Sequence, residues 1–382
     1  MTSHRQHHIM EGRTGTEVIL NGLKYLYFAG TSYFQLHTHP DVVNAAMDAT
    51  HKYGVGSATT RVMTGTTPLL LKIEDKLAGY FNTEDAVYLP SGYLSSLAGL
   101  KALDEMGTYD VIFLDEGSHY SLVEGAIATG RPVIPFRNRD PKDLELKISE
   151  HLGSGQRPLV ATDGLFPVIA KLAPVRDYLD LAVKHQGVIW IDDAHGVGIL
   201  GAHGRGTCEA LGARSDRIYL GATLSKAFGA YGGIIMGSGS FINKVRSGSV
   251  MTGSSSPMNA AVAAAIKGLE LVQENPGLRK KLWKNARYLN ESLGQLGITS
   301  ESRFIPEMHG TIPVASFSYG DAANMKSIHN YLMEQGIYIQ YTKYKGAGPG
   351  GVLRIVVSSS HKKVEIVRLT TALKEAFRLF NS

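Results

Sequence analysis

Short apolar runs alternate with amphipathic segments over the middle of the chain, from about Asp85 to Gly237. Seven of these runs predict β-strands: DAVYLP, DVIFLD, RPVIPF, RPLVATDG, GVIWIDDAHG, DRIYLGATLS and GGIIMG. Because they are apolar at successive positions, they are typical of a sheet that is buried on both faces, and the segments between them are long enough for crossover helices. We therefore expect an α/β fold, with a large α/β/α domain around a mostly parallel seven-stranded sheet.

The pattern changes after Pro257. Two long helices are predicted by MNAAVAAAIKGLELVQEN and GLRKKLWKNARYLNESLGQLG, which Pro276 and Gly277 separate. Three apolar runs, TIPVASFSYG, YIQYTK and VLRIVVSS, then alternate with helical segments up to KKVEIVRLTTALKEAFRLF. The pattern therefore predicts three parts: an N-terminal segment (residues 1–45), a large domain (residues 46–285) and a smaller C-terminal α+β domain (residues 286–382).

The composition narrows the possible function classes. Hydrophobic residues make up 43% of the 382 residues and charged residues 19%, which is usual for a globular enzyme and too apolar for a disordered chain. The net charge of +5 is small and no run of Lys and Arg suggests a nucleic-acid tail, so we expect no nucleic-acid partner. No stretch approaches the roughly 20 apolar residues of a membrane span. The single cysteine, Cys208, favours a reducing compartment, so a cytoplasmic location is expected.

A single lysine, Lys226, follows a predicted strand in IYLGATLSKAFGAYGG. Most lysines lie exposed in loops, and this lysine taken alone could be one of them. Here, however, an apolar strand and a glycine-rich turn surround it, and burial lowers the pKa of an amine because it disfavours the charged form. A neutral amine in such a place can act as a nucleophile toward a carbonyl group.

Two carboxylates and a histidine follow the next strand upstream, in VIWIDDAH. A pair of acids at a strand end can simply cap a helix or face solvent. By strand alternation Asp192 and Asp193 point in opposite directions, and we expect Asp192 to be the more buried of the two. A carboxylate that stays ionised there can pair with the ring nitrogen of a heteroaromatic cofactor. His195 lies three positions after Asp192, close enough to share its site.

Two further motifs follow predicted strands. His119 comes directly after the strand DVIFLD, where an imidazole can stack on a flat heteroaromatic ring, although most lone histidines are structural or exposed. Ser91, Gly92 and Tyr93 connect the strand DAVYLP to a helix, and backbone N–H groups at the start of a helix bind phosphate well. Each of these signals is weak alone, but all of them occur where strands end.

Together, these motifs resemble in order and spacing the fold-type I pyridoxal phosphate enzymes and, within them, the α-oxoamine synthase family. The most specific part is DDAHGVGILGAHGRG followed by TLSKAFGAYGG, and the resemblance extends from YFAGTSYFQLHTHPDVV to RIVVSSSHKKVEIVRL. The resemblance implies that Lys226 carries pyridoxal 5'-phosphate covalently. It implies these further cofactor contacts: Asp192 at the ring nitrogen, His195 at the phenolic oxygen, His119 stacked on the ring, and Ser91, Gly92, Tyr93 and Thr223 at the phosphate.

The resemblance also gives roles to two segments nearer the C-terminus. MTGSSSP resembles the family's loop that contacts the phosphate of the neighbouring subunit, with Thr252 and Ser254 as its donors. This implies a homodimer with active sites at the interface. Arg354, seven residues before His361, resembles the arginine that binds the carboxylate of the amino-acid substrate, where a planar guanidinium can contact both oxygens.

One stretch and two single positions depart from the family's pattern. TSYFQL, which includes Ser32, stands where the family has Asn-Asn-Tyr-Leu-Gly-Leu. Leu70 replaces a histidine, and Pro167 replaces a serine that the family places near the cofactor. These positions handle the reacting carbon and the second substrate in the family, so the departures bear on the reaction rather than on cofactor binding.

Three functions are therefore compared. The resemblance implies an acyl-CoA:amino-acid C-acyltransferase, which joins a small amino acid to an acyl-CoA thioester with loss of carbon dioxide, similar to 8-amino-7-oxononanoate synthase or glycine C-acetyltransferase. The departures leave open a pyridoxal phosphate-dependent aminotransferase, or an aldolase- or lyase-like enzyme, on the same fold. The third alternative is a non-catalytic cofactor-binding scaffold, which the presence of Lys226, Asp192, His195 and Arg354 disfavours. No metal site is predicted.

Overall fold

The computed structural model describes residues 8–298, 310–344 and 347–380. In chain order the strands are β1 (Met10–Glu11), β2 (Glu17–Leu20), β3 (Leu23–Tyr27), β4 (Asp85–Leu89), β5 (Val111–Asp115), β6 (Val133–Phe136), β7 (Pro158–Asp163), β8 (Leu165–Phe166), β9 (Lys171–Leu172), β10 (Val188–Asp192), β11 (Ile218–Thr223), β12 (Gly233–Gly237), β13 (Val314–Phe317), β14 (Ile337–Tyr338), β15 (Gln340–Thr342) and β16 (Val352–Val356). The α-helices are α1 (Pro40–Tyr53), α2 (Pro68–Phe81), α3 (Tyr93–Glu105), α4 (Tyr120–Ile127), α5 (Pro141–His151), α6 (Val175–Lys184), α7 (Thr207–Leu211), α8 (Gly239–Ser247), α9 (Ser249–Thr252), α10 (Asn259–Glu274), α11 (Gly277–Gly294), α12 (Ala322–Glu334) and α13 (Lys363–Leu379).

The seven runs predicted as strands form one seven-stranded sheet, in the order β4-β12-β11-β10-β7-β5-β6. The pairs from β11 to β6 are parallel, whereas β12 runs antiparallel to both of its neighbours. The central strands β5, β7 and β10 are buried at every position, as expected for a sheet covered on both faces. The predicted fold class, an α/β fold around a mostly parallel sheet, is confirmed.

Strand β10 shows how the sheet supports helices on both faces. Trp190 belongs to the apolar cluster under α3, where its indole contacts Gly99 so closely that a Cβ there would lie 2.0 Å from a ring carbon. Its neighbours Ile189 and Ile191 belong to the opposite cluster, beneath α5 and α6. Successive side chains of a strand point to opposite faces, so a continuous apolar run is required here.

The C-terminal part forms a second core. Strands β13, β16 and β15 make an antiparallel sheet, and α11, α12 and α13 contribute apolar side chains to the cluster beside it. Helix α11 joins the two cores, because Leu282 packs in the cluster of the large domain and Leu289 packs in the C-terminal cluster. The predicted boundary between residues 285 and 286 therefore lies inside a continuous helix, and the domain division stays a prediction.

The N-terminal strands were not predicted. Strands β1, β2 and β3 form an antiparallel meander, and β3 pairs in parallel with β14, in the order β1-β2-β3-β14. In β2 exposed and buried residues alternate over only four positions, so its apolar signal is short and weak. The pairing of β3 with β14 joins segments from opposite ends of the sequence, which local patterns do not reveal.

Two kinds of feature are absent from the described ranges. None of the helices there is long and apolar enough to cross a membrane. No group of three or more His, Cys, Asp or Glu side chains in residues 8–298, 310–344 and 347–380 could hold a metal ion. The one cysteine, Cys208, is buried and free.

Candidate active site

A cavity of about 570 Å³ lies at the carboxyl ends of the parallel strands, between the large sheet and the C-terminal strands β15 and β16. Open α/β sheets bind ligands at this edge because the loops that follow the strands converge there. The cavity brings together all of the predicted site residues except Thr252 and Ser254: Ser91, Gly92, Tyr93, His119, Asp192, His195, Thr223, Lys226 and Arg354.

Lys226 lies in the turn after β11 and lines the cavity. None of the hydrogen bonds or ion pairs in the described part of the chain engages its amine. Burial lowers the pKa of Lys226 to about 8; the Asp192 and Asp163 carboxylates oppose this shift, and Arg354 adds to it. A large share of the amine is therefore neutral near pH 8, as a nucleophile or base requires.

The two aspartates after β10 have different surroundings. Asp192 lines the cavity, and its Oδ1 accepts a hydrogen bond from Ala194 N at 3.1 Å. Asp193 points away and accepts from both Thr207 N (2.7 Å) and Thr207 Oγ1 (2.6 Å). The expectation that Asp192 is the more buried is wrong: it is 9% exposed and Asp193 1%, because Asp192 opens onto the cavity whereas Asp193 lies beneath the start of α7.

A third carboxylate, Asp163, was not predicted as a site residue. It ends β7 directly beside Asp192 in the strand register, and it lines the same cavity. Its Oδ1 accepts a hydrogen bond from His119 N at 3.2 Å. Burial raises the pKa of Asp163 well above its usual range, and the neighbouring Asp192 raises it further. The last acid of RPLVATD was the available signal, since the neighbouring strands also end in functional residues.

The two histidines are held by different contacts. His119 caps the start of α4: its Nδ1 accepts from Ser121 N at 3.2 Å, and Ser121 Oγ lies 2.7 Å from the same nitrogen. Its ring is exposed to the cavity. His195 is partly buried, and its Nδ1 lies 2.8 Å from the hydroxyl of Tyr33. Burial lowers the pKa of His195 well below its usual value, and the nearby Lys226 and Arg354 lower it further, so the imidazole is neutral.

The segment Ser91 to Tyr93 forms the turn at the N-terminus of α3. Gly92 lies so close to β11 that a Cβ there would come within 2.6 Å of Thr223 Cβ. A side chain at position 92 would therefore collide with Thr223. The Thr223 hydroxyl lies 2.9 Å from Ser225 Oγ. Backbone N–H groups of a helix start and two hydroxyls thus meet at one end of the cavity, an arrangement that suits a phosphate group.

Arg354 reaches the opposite side of the cavity from the middle of β16. Its side chain is 6% exposed, and it donates from Nε to Pro167 O (2.9 Å) and from Nη1 to Gln340 Oε1 (3.0 Å). No carboxylate of the described residues pairs with it. Because desolvation penalises a charge without a counter-ion, this guanidinium is best stabilised by an anionic ligand.

The remaining predicted positions lie elsewhere. Thr252 and Ser254 donate their hydroxyl protons to carbonyl groups of their own segment, Gly248 O (3.2 Å) and Val250 O (2.7 Å) respectively, and neither lines this chain's cavity. Of the departures from the family pattern, Pro167 and Thr31 of the TSYFQL stretch line the cavity. Leu70 is fully buried in the apolar core, and Ser32 Oγ lies 2.6 Å from His37 Nδ1.

Known proteins resemble this chain over nearly its whole length. Residues 29–373 match the family described as aminotransferase class I and II. The chain belongs to this family. It is 32% identical to a putative 8-amino-7-oxononanoate synthase of Desulforudis audaxviator, over 94% of this chain and 91% of that protein. It is also 32% identical to the 8-amino-7-oxononanoate synthase of Thermosipho melanesiensis, over 94% and 89% of the two chains.

A solved structure agrees with these relatives. The serine palmitoyltransferase of Sphingomonas wittichii superimposes with a TM-score of 0.88 at 26% identity, over 96% of this chain and 90% of that chain. These matches confirm the predicted resemblance to the α-oxoamine synthases and the fold-type I architecture. They also confirm that the chain is a pyridoxal phosphate-dependent enzyme of the acyltransferase type. The roles of the individual site residues stay predictions.

The residues that line the cavity fit this cofactor. Lys226 offers an amine to its aldehyde, and Asp192 offers a carboxylate to its ring nitrogen. The turn at Gly92 offers backbone N–H groups to its phosphate, and the Thr223 hydroxyl, which donates to Gly232 O at 3.0 Å, lies beside it. The missing side chain at Gly92 leaves the helix start open, which a bulky residue would block.

Proposed function

We propose that the protein condenses a small amino acid with an acyl-CoA thioester and releases CoA and carbon dioxide. The observation that carries this proposal is the buried guanidinium of Arg354, which has no carboxylate partner in the described residues and lines the same cavity as Lys226. An α-carboxylate is the anion that fits it, because its two oxygens match the two donor edges of a guanidinium.

In this reaction the cofactor supplies an electron sink for the α-carbon of the bound amino acid. Lys226 then acts as the general base: its neutral Nζ accepts the proton from the α-carbon. Asp192 would pair its carboxylate with the ring nitrogen of the bound cofactor and so keep that nitrogen protonated. The lowered pKa of Lys226, about 8, supports its role, since a base that is charged at working pH cannot accept a proton.

The other residues of the cavity orient the substrates. Arg354 holds the α-carboxylate, and its bonds to Pro167 O and Gln340 Oε1 fix the plane of the guanidinium. His119, anchored by Ser121, would present its ring to the face of the bound cofactor. The α-carbon attacks the thioester carbonyl, a carbon–carbon bond forms, the carbon–sulfur bond breaks, and the CoA thiolate leaves. Loss of the α-carboxyl group as carbon dioxide leaves an electron pair on the α-carbon, and the protonated Lys226 returns a proton there to complete the condensation.

The alternative, an aminotransferase or an aldolase- or lyase-like enzyme, depended on the three departures from the family pattern. Leu70 packs in the core, and Ser32 contacts His37 rather than the cavity. Thr31 of the TSYFQL stretch and Pro167 line the cavity, and Pro167 contributes its carbonyl group, which any residue has. The departures therefore add little weight to the alternative.

The test is an assay of free thiol release with the cofactor-loaded protein. Small amino acids such as glycine, alanine and serine are combined with acyl-CoA thioesters of increasing chain length, and each substrate is also supplied alone. We expect thiol release only when both are present, and none with Lys226→Ala. Formation of a keto acid without thiol release would support the aminotransferase, and no turnover with any pair would support the cofactor-binding scaffold.

We also propose that the active unit is a homodimer. Thr252 and Ser254 do not line their own chain's cavity, which agrees with a contact to the partner's cofactor. Their loop pairs with a neighbouring segment through the bridge between Thr60 and Ser255. That segment exposes Val62 (54%) and Met63 (76%), and exposed apolar side chains of this size favour a protein interface.

The single free cysteine, Cys208, supports a cytoplasmic location.

Complementation tests the dimer. Chains with Lys226→Ala are mixed with chains that carry Thr252→Ala and Ser254→Ala, under conditions that allow subunits to exchange. We expect some activity to return, because one of the two mixed sites receives both intact parts. A protein that sediments as a fully active monomer would contradict this arrangement.

A further inference from the structure

Tyr33 is buried against the site although it was not predicted as a site residue. It is 1% exposed, and its hydroxyl lies 2.8 Å from His195 Nδ1. The two rings meet edge to face, with centroids 6.3 Å apart. The backbone of Tyr33 is fixed as well, since its carbonyl accepts a hydrogen bond from Ser359 N at 2.8 Å. Hydrogen bonds thus fix both the backbone and the side-chain hydroxyl of Tyr33.

The direction of this hydrogen bond follows from the state of the tyrosine. Burial raises the pKa of Tyr33 to about 12, even though the nearby Arg354 lowers it, so the hydroxyl keeps its proton at neutral pH. Within the described part of the chain, His195 Nδ1 is the acceptor at hydrogen-bond distance. A buried hydroxyl proton without an acceptor is unfavourable, so Tyr33 donates to Nδ1.

The proton of His195 is then on the other ring nitrogen. The imidazole is neutral and carries one proton, and a nitrogen that accepts a hydrogen bond cannot also carry it. We propose that Tyr33 is a positioning residue, which holds the His195 proton on Nε2 and so leaves an N–H donor for the cavity. Nothing else among the described side chains takes this N–H, and His195 lines the cavity.

This inference rests on the proposed function for its consequence. An Nε2–H group donates to an acceptor such as the phenolic oxygen of the cofactor and stabilises negative charge there. With the opposite tautomer, the lone pair of Nε2 would face the lone pairs of that oxygen and repel them. Tyr33 therefore selects the tautomer that favours the cofactor's ionised form, without touching the cofactor itself.

The tautomer can be measured on the full chain without cofactor, by ¹⁵N NMR of histidine-labelled protein. The His195 signals are assigned by their loss in His195→Gln. We expect a protonated Nε2 and a hydrogen-bonded, unprotonated Nδ1 in the unaltered protein, and a mixture of tautomers in Tyr33→Phe. The proposal is wrong if the unaltered protein carries the proton on Nδ1, a result that does not require the variant to fold. An unchanged tautomer in Tyr33→Phe would also overturn it.

A second readout uses the loaded protein. The pH midpoint of the cofactor's visible absorption should move upward by roughly half to one pH unit in Tyr33→Phe, because the donor to the phenolic oxygen is present only part of the time. We expect kcat to fall roughly three- to tenfold, with the amino-acid KM little changed. An unmoved midpoint would contradict the proposal.

Tyr109→Phe is the matched control. Tyr109 is also fully buried, and its hydroxyl donates to Leu100 O at 3.1 Å, away from the cavity. It should lose similar stability and leave both the His195 tautomer and the absorption midpoint unchanged. If the tautomer result holds but no thiol is released with any substrate pair, the proposed function fails while the role of Tyr33 stands.

Discussion

The two walls of the cavity are built in different ways. On the wall of the large domain, Asp163, Asp192 and Thr223 each end a strand of one hydrogen-bonded sheet. On the C-terminal wall, Arg354 and Gln340 come from a small antiparallel sheet, and Arg354 crosses the cavity to donate to Pro167 O of the large domain. The strand ends of the first wall are fixed by one sheet, whereas the second wall depends on the contact between the C-terminal strands and the segment at Pro167.

This difference matches two tasks. A wall of fixed strand ends suits a cofactor that stays in place through many turnovers, because its contacts need no rearrangement. A guanidinium that bridges the C-terminal strands and the segment at Pro167 suits a substrate that enters and leaves, because it lies where the two parts of the chain meet. Variants of the first wall should therefore abolish the chemistry, and variants of the second should weaken the use of the amino acid.

The largest effect is expected for Lys226→Ala. It removes both the covalent attachment of the cofactor and the base, so turnover should fall by roughly 10⁴-fold or more. Some cofactor should still bind through the contacts of the phosphate turn. Borohydride reduction followed by peptide mapping should label Lys226 in the unaltered protein, and a label on another lysine would refute the assignment.

The next effect compares the two adjacent aspartates. Asp192→Asn should lower kcat by roughly 10²–10⁴-fold, because a neutral amide does not keep the ring nitrogen protonated. Asp193→Asn should instead reduce stability by about 1–3 kcal/mol, since it disturbs the two hydrogen bonds from Thr207, and it should leave the cofactor's absorption unchanged. Thermal unfolding and steady-state kinetics of both variants test this, and the reverse pattern would exchange their roles.

A smaller effect is expected on the C-terminal wall. Arg354→Ala should lower kcat/KM for the amino acid by a factor equivalent to about 2–4 kcal/mol of activation free energy. The affinity for acyl-CoA should change much less. Arg354→Lys should restore little, because a point charge does not reproduce the planar fork. Titration of both variants with glycine, alanine and serine measures this, and unchanged amino-acid binding in Arg354→Ala would mean that another group holds the carboxylate.

The smallest effect concerns pH and links the two walls. Without cofactor, the reactivity of the Lys226 amine should rise through about pH 8 as the amine loses its proton. Arg354→Gln should move this midpoint upward, because it removes a positive charge that disfavours the protonated amine. Asp163→Asn should move the midpoint downward, because it removes a negative charge that favours the protonated amine. The rate at which added pyridoxal phosphate is trapped by borohydride measures the midpoint, and no shift in either variant would mean that the two walls do not interact electrostatically.

The sequence predicted the first wall better than the second. Apolar runs such as β10 are unambiguous because both faces of the sheet are covered, and the residues after them fall at the shared edge. Asp163 was missed because a strand-end acid resembles an ordinary turn residue. The contact between Tyr33 and His195 joins positions 162 residues apart, and the bond from Arg354 to Pro167 joins positions 187 apart. Such contacts depend on tertiary packing and leave no local pattern.

The pairing of β3 with β14 has a consequence for how the chain folds during synthesis. Leu26, in β3, leaves the ribosome early but completes its ladder only when Ile337 has been made. Leu26 and Phe28 also pack in the C-terminal core, so that core lacks part of its interior without the first strands. Contacts between distant parts of a sequence slow folding, because a long loop must close before they form. The chain from residue 286 onward, made alone, would therefore lack Leu26 and Phe28 in its core and the strand that pairs with β14.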